Sequence, residues 1–238
     1  MRCIKCNNKA TIFLKTYQAC DKCFIKIIDK RIRKEIRDSN IYKFYKDADF
    51  YLIDDKTYNS IFNIKFFISF FKDINKKEHK IKIINLNNKT HKNKEKNTLT
   101  NYLNYLVKEA INFIDAKEKN KHKIKKNKTE NKKSDQLIIL PWNLEQEANL
   151  FLESVFYNKN FKKTKILHFK HKYYFFKPLI HISEEEIKIY FKIKKITLPI
   201  NMKNNNRKLI LDNLSKEYPE INFAILKSIH ELKKQLPK

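Results

Sequence analysis

Residues 3–24 read CIKCNNKATIFLKTYQACDKCF and contain all four cysteines of the chain. They form two C-x2-C pairs, Cys3 with Cys6 and Cys20 with Cys23, separated by thirteen residues. This spacing is typical of four thiolates that surround one Zn²⁺ with Zn–S distances of about 2.3 Å. Because protein sulfur would fill all four positions, we expect a structural zinc site. Two disulfides or an iron–sulfur cluster are the alternatives; the pattern favours zinc, and we expect no iron–sulfur cluster.

A basic segment follows the second cysteine pair directly. Ile27, Ile28, Ile32 and Ile36 recur at helical spacing and predict a helix over residues 25–37 with one apolar side. The candidate contacts to RNA phosphates are basic residues of this helix: Lys30, Arg31, Arg33, Lys34 and Arg37. Three of them are arginines, in a chain with only five, and guanidinium offers phosphate a bidentate geometry that ammonium lacks. A solvated helix face or structural ion pairs are the alternative.

The composition of the chain points to a polyanionic partner. Its 238 residues include 53 Lys and Arg against 26 Asp and Glu, which gives a formal charge of +27. Nucleic acid is the leading partner class for such a charge, although the coding bias of an AT-rich genome also raises the lysine content. The chain contains no glycine, which excludes G-x-G-x-x-G and Walker A loops, whose backbone must approach phosphate closely.

No apolar run approaches the roughly 20 residues that a membrane span needs. The first residues lack the apolar region of a signal peptide, so we expect a cytoplasmic protein with no membrane partner. In the cytosol thiols stay reduced, which favours metal ligation over disulfides.

Apolar segments alternate between strand and helix patterns along the chain. Strands are predicted at residues 50–53, 80–86 and 137–140, and helices at 61–71 and 144–155. This alternation is typical of an α/β fold with a mainly parallel sheet.

The predicted domain organisation is serial. Residues 1–37 form the zinc knuckle and basic helix, residues 45–200 the α/β domain, and residues 201–238 a helical region. Low-complexity inserts rich in Lys and Asn are predicted within the α/β domain at about 87–97 and 117–135.

The order of these features resembles the cytoplasmic tRNA 2-thiolation proteins and their archaeal thiouridine synthetase relatives. In that family a cysteine-rich knuckle ends in C-x-x-C-F, here Cys20 to Phe24, and leads into a Lys/Arg-rich helix. The segment LPWNLEQEA at 140–148 resembles the family's H-N-x-D-D-x-A, and residues 177–190 resemble its R-P-L segment with a later E-I-x-x-Y. The resemblance implies a parallel-sheet PP-loop domain and tRNA as a partner.

The segment aligned with the family's S-G-G-x-D-S loop departs from it. The six residues of this degenerate nucleotide loop are Asp55, Lys56, Thr57, Tyr58, Asn59 and Ser60. Only the last of them matches the family's pattern, and two glycine positions carry side chains. In addition, no cysteine follows Cys23 to serve as a sulfur carrier.

These two losses, set against the family, imply a non-catalytic subunit. We expect no ATP site and no enzymatic activity, and a role as the tRNA-binding scaffold of a heterodimer with a catalytic thiolation subunit. The complex would 2-thiolate the wobble uridine U34 of tRNAs for Lys, Glu and Gln, with a ubiquitin-like sulfur carrier as a possible further partner. The alternatives are a diverged but active ATP-dependent tRNA thiouridylase and an unrelated basic zinc-knuckle RNA-binding protein.

Overall fold

A computed structural model of the chain describes residues 1–14, 16–41, 48–74, 81–86, 98–124, 135–156, 166–169, 173–198, 211–218 and 220–235. The chain divides into two compact units that are interleaved in sequence. The first unit comprises Met1–Ser39, Trp142–Lys163 and Pro178–Lys238. The second unit comprises Asn40–Pro141 and Thr164–Lys177. The serial domain organisation expected from the sequence stays a prediction.

The secondary structure alternates between strands and helices over most of the chain. The strands are β1 (Ile12–Phe13), β2 (Gln18–Ala19), β3 (Asp49–Asp54), β4 (Ile81–Asn85), β5 (Gln136–Ile139), β6 (Ile166–Phe169) and β7 (Tyr173–Phe176). The helices are α1 (Asp21–Asp38), α2 (Tyr58–Ile74), α3 (Leu99–Ile124), α4 (Leu144–Phe156), α5 (Glu184–Ile193), α6 (Asp212–Glu217) and α7 (Ile221–Gln235).

Five strands of the second unit form one sheet in the order β4-β3-β5-β7-β6. The first four are parallel to one another, and β6 pairs antiparallel with β7. All four residues of β5 are buried, as are the last five of β3. Strands buried on both faces read as continuous apolar runs, which is the pattern seen at residues 50–53 and 137–140. The predicted α/β fold with a mainly parallel sheet is confirmed.

The direction of strand addition reverses between β3 and β5. The chain first adds β4 on one side of β3 and later places β5 on the other side. In open parallel sheets, ligands bind beyond the carboxyl ends of the strands at such a reversal. Residues 55–57, which join β3 to α2, lie at this point, so the topology selects their loop as a candidate site.

Helix α2 packs against β3 through a row of phenylalanines. Five of them are buried: Phe62, Phe66, Phe67, Phe70 and Phe71. The ring of Phe71 meets that of Phe50 edge-on, with centroids 4.6 Å apart. Burying each such ring contributes about 2 kcal/mol, so the packing fixes the start of α2 at the edge of the sheet.

No helix within the described ranges is both long enough and apolar enough to cross a membrane.

The first unit is built from helices contributed by distant parts of the chain. Helix α1 packs against α5, and α4 packs against α7. Leu144 of α4 forms an apolar cluster with Leu226 and Ile229 of α7. These contacts explain why α4 groups with the helices near the two ends of the chain rather than with the sheet.

The predicted helices are present, with different ends. The basic helix predicted at 25–37 is α1, which begins at Asp21, and α3 continues to Ile124, eight residues into the insert predicted at 117–135. Lysine and glutamate favour helix, which explains this extension. Residues 125–134 and the insert predicted at 87–97 lie outside the described residues.

Candidate functional site

The structure brings the four cysteines together. Their Sγ atoms all lie within 4.8 Å of one another, and those of Cys6 and Cys20 are 3.6 Å apart. Cys3 and Cys6 come from the N-terminal turn, whereas Cys20 precedes the first residue of α1 and Cys23 lies in its first turn. Four sulfurs at this spacing can coordinate one metal group. A metal bound here would therefore fix the beginning of α1.

Backbone hydrogen bonds shape the turn that carries Cys3 and Cys6. The N–H of Cys3 donates to the carbonyl of Asn8 at 2.8 Å, and the N–H of Asn7 donates to the carbonyl of Cys3 at 3.2 Å. Asn7 has a φ of 58°, a left-handed conformation that asparagine tolerates better than most residues other than glycine. The sequence thus makes a tight cysteine turn without glycine.

The thiols of the cluster differ in acidity. A backbone hydrogen bond from Cys20 lowers the pKa of the Cys3 thiol to about 6, against the effect of burial. A hydrogen bond with the Cys6 thiol, together with burial, raises the pKa of Cys23 to about 12. Since metals bind thiolates, a metal entering this cluster displaces the protons that the sulfurs share.

At the point where the direction of strand addition reverses, which we call the switch point, the carboxylate of Asp55 accepts hydrogen bonds that hold the loop before α2. Asp55 is 8% exposed and accepts hydrogen bonds from the N–H of Thr57 at 3.1 Å and its hydroxyl at 2.6 Å. The hydroxyl of Tyr102 on α3 also donates to Asp55. Helix N-termini bind phosphate through backbone N–H groups of this kind. Here the carboxylate of Asp55, rather than a phosphate, accepts the hydrogen bond from the N–H of Thr57.

The other residues of the loop at 55–60 also form hydrogen bonds and ion pairs within the second unit. Ser60 Oγ donates to the carbonyl of Thr57 at 2.9 Å, and Asn59 Nδ2 donates to the carbonyl of Pro141 at 3.5 Å. Lys56 has a left-handed φ of 65°. Its ammonium group forms an ion pair with Asp54. The loop therefore has a residue with a side chain in a backbone conformation that glycine favours.

Helix α1 presents a basic stripe to solvent. We define the basic stripe by its exposed residues: Lys22, Lys26, Lys30, Arg33, Lys34 and Arg37. Their spacing of three or four residues keeps them on one side of the helix. A surface groove of about 340 Å³ runs along the stripe and also includes Asp29. Four of the five predicted phosphate contacts belong to this surface.

Arg31, the fifth predicted contact, lies elsewhere. Its Nη1 atom is 2.6 Å from Oε1 of Glu186, whose side chain is 2% exposed. Glu186 also belongs to a capping box with Ser183 at the start of α5. The ion pair with Arg31 was missed, because the two residues are 155 positions apart and no local pattern connects them.

Among solved structures, the chain is similar to the U34-tRNA thiolase NcsA from Methanococcus maripaludis, solved with its [4Fe-4S] cluster. The alignment covers 100% of this chain and 88% of that chain, with a TM-score of 0.66 and 16% sequence identity. The two chains share a fold. No protein-family profile matches the sequence, and no curated protein matches it.

This likeness corrects one expectation. The prediction that excluded an iron–sulfur cluster is wrong, because the solved thiolase of this fold carries one and this chain gathers four cysteines. Four thiolates are the ligand set of [4Fe-4S] clusters as well as of structural zinc. The C-x2-C spacing alone did not distinguish the two groups, and an iron–sulfur cluster is a candidate occupant of the cysteine site.

Substitution of Cys20 is expected to remove the metal group. Cys20→Ala takes away one of four sulfurs, so we expect the metal content to fall from about one group per chain to near zero. Elemental analysis for zinc and iron, with an absorption spectrum for a cluster, measures this. Lys9→Ala, an exposed change in the same segment, serves as the control and should keep the metal. Metal-free wild-type protein, or full retention by Cys20→Ala, would contradict the assignment.

Substitution of Asp55 is expected to destabilise the second unit. Asp55→Ala removes the acceptor for Thr57 and Tyr102 and should lower the free energy of unfolding by about 2 kcal/mol. Denaturant unfolding measures the change. Lys72→Ala, an exposed change on α2, should shift it by less than about 0.5 kcal/mol. Equal stability of the two variants would show that Asp55 does not hold the loop.

Proposed function

We propose that the chain is a tRNA-binding subunit of the machinery that thiolates U34 of tRNA. The observation that carries this proposal is the fold, which the whole chain shares with a U34-tRNA thiolase. The formal charge of +27 and the basic stripe on α1 supply the electrostatic surface that an RNA partner requires.

We further propose that this subunit is a scaffold rather than the catalyst. The support comes from the loop at the switch point, where the carboxylate of Asp55 accepts the N–H of Thr57. A negative charge at this place repels a polyphosphate, and the side chains of Lys56 and Thr57 stand where the family's loop has glycine. The loop is thus stabilised by its own residues and needs no nucleotide to order it.

A scaffold needs a catalytic partner to complete the reaction. We propose a heterodimer with the catalytic thiolation subunit in the cytoplasm, with tRNAs for Lys, Glu and Gln as the bound RNAs. A ubiquitin-like protein would supply sulfur to that partner. The role of this chain would be to hold the tRNA by phosphate contacts, which position a substrate without chemistry of their own.

The four-cysteine cluster lies at the start of the helix that carries the proposed tRNA-binding surface. Cys20 and Cys23 lie at the start of α1, the helix that carries the basic stripe. A metal group held by the four sulfurs, zinc or [4Fe-4S], would fix the position of the stripe relative to the N-terminal turn. The stripe runs from Lys22 to Arg37, about 22 Å at 1.5 Å per residue, which is long enough to contact several phosphates.

An active ATP-dependent thiouridylase is the second candidate. It is favoured by the [4Fe-4S] cluster of the solved thiolase and by Ser60, which matches the family's loop and lies at the start of α2. This candidate predicts ATP–pyrophosphate exchange that Ser60→Ala abolishes. The scaffold proposal predicts no exchange by the metal-loaded protein.

Neutralising the basic stripe is expected to weaken tRNA binding. The test variant replaces Lys30, Arg33, Lys34 and Arg37 with glutamine. We expect the affinity for a tRNA transcript to fall at least about tenfold at 0.1 M salt, because phosphate contacts are lost. Each lost contact should also reduce the slope of log affinity against log salt concentration by about one. Fluorescence anisotropy at several salt concentrations measures both quantities.

A matched control separates the stripe from the overall charge. It replaces four exposed lysines on other helices with glutamine, and these are Lys65, Lys72, Lys108 and Lys192. The control loses the same charge and should bind tRNA nearly as well as the wild type. Equal losses in both variants would refute the stripe as the contact surface. A wild-type chain that ignores tRNA at low salt would refute the proposed function.

A further inference from the structure

We propose that a cleft beside the basic stripe binds an unpaired nucleobase of RNA. The proposal rests on the RNA-binding function argued above and adds to it a means of holding single-stranded RNA. The cleft lies within the first unit and has a volume of about 450 Å³. Small-molecule sites occupy about 300–1,000 Å³, so a base has room to enter.

The walls of the cleft are the groups on which bases stack. Tyr17 and Phe223 line it, and the guanidinium carbon of Arg31 lies 5.4 Å and 6.0 Å from the centroids of their rings. Ile4 and Ile27 add apolar surface. Proteins that bind single-stranded RNA hold unstacked bases on aromatic rings and arginine planes of this kind.

Glu186 holds this platform in place before any ligand arrives. Its Oε1 atom accepts hydrogen bonds from Arg31 at 2.6 Å and from the hydroxyl of Tyr17 at 2.8 Å. Its Oε2 atom accepts the N–H of Ser183 at 2.9 Å. Since little side-chain freedom remains to be lost, binding a planar ring here costs less conformational entropy.

The charge distribution distinguishes a base from a phosphate as the occupant. Within the cleft, the charge of Arg31 is balanced by the carboxylate of Glu186, so the interior suits an uncharged ring. The rim is basic, because Lys5 lines it and the stripe lies beside it. An uncharged ring joined to an anionic backbone, which is what a nucleotide offers, matches both parts.

The geometry of α1 connects the cleft to the stripe. Ile27 and Lys34 are seven residues apart, about two helical turns, and therefore lie on nearly the same side of the helix. Arg31 and Lys34 are three apart and are surface neighbours. A strand whose base enters the cleft can thus place its adjoining phosphates on Lys34 and the rest of the stripe.

The test compares an RNA with bases to one without them. The probes are a fluorescent ten-nucleotide oligouridine and the same sugar–phosphate chain with abasic residues. Phe223→Leu keeps an apolar side chain but removes the ring, so we expect about a tenfold loss of affinity for oligouridine and no loss for the abasic chain. Phe223→Tyr keeps the ring and should bind both probes as the wild type does.

Each other outcome overturns a specific part. If Phe223→Leu binds both probes like the wild type while the stripe variant binds both weakly, the cleft proposal falls and the RNA-binding function stands. If the wild type binds neither probe at low salt, the proposed function falls with it. If Phe223→Leu changes the oligomeric state measured by sedimentation but not the affinity for either probe, the cleft is a contact between copies of the chain. The proposal is then wrong.

A second measurement covers the case in which Phe223→Leu does not fold. Oligouridine carrying one 2-aminopurine, added to the wild-type chain, should lose fluorescence as the base stacks on the aromatic walls. Unchanged fluorescence at saturating protein would overturn the proposal.

Discussion

The loop between β3 and α2 depends on the hydrogen bonds that the carboxylate of Asp55 accepts. The carboxylate accepts two hydrogen bonds from Thr57 and one from Tyr102, and it lies in the loop between β3 and α2. A buried carboxylate is costly without such partners, so the loop and α3 are held around it. Because phenylalanines pack α2 against β3, the charge stays at the place where nucleotide-binding folds receive phosphate.

The chain contains no glycine, yet some of its described residues take backbone conformations that glycine favours. Asn7, Asn40, Lys56 and Lys195 take the positive φ angles that glycine usually supplies. At the two lysines this conformation costs about 1 kcal/mol, and at Lys56 an ion pair with Asp54 offsets part of it.

Local patterns predicted the parts of the structure that local forces determine. The isoleucines of α1 and the apolar runs of β3 and β5 fixed those elements to within a few residues. Contacts between distant segments could not be predicted in this way, and the ion pair of Arg31 with Glu186 is an example. The exclusion of an iron–sulfur cluster was wrong for another reason, since zinc and iron–sulfur clusters use the same four thiolates.

The most direct measurement of the scaffold role is mass spectrometry of U34 thiolation after depletion of this protein alone, with rescue by variants. We predict that Ser60→Ala restores thiolation as the wild type does, because the loop performs no chemistry, and that the stripe variant does not restore it. Thiolation that is unaffected by depletion would contradict a role in this modification. A folded Ser60→Ala variant that fails to restore thiolation would show instead that the chain is the catalyst.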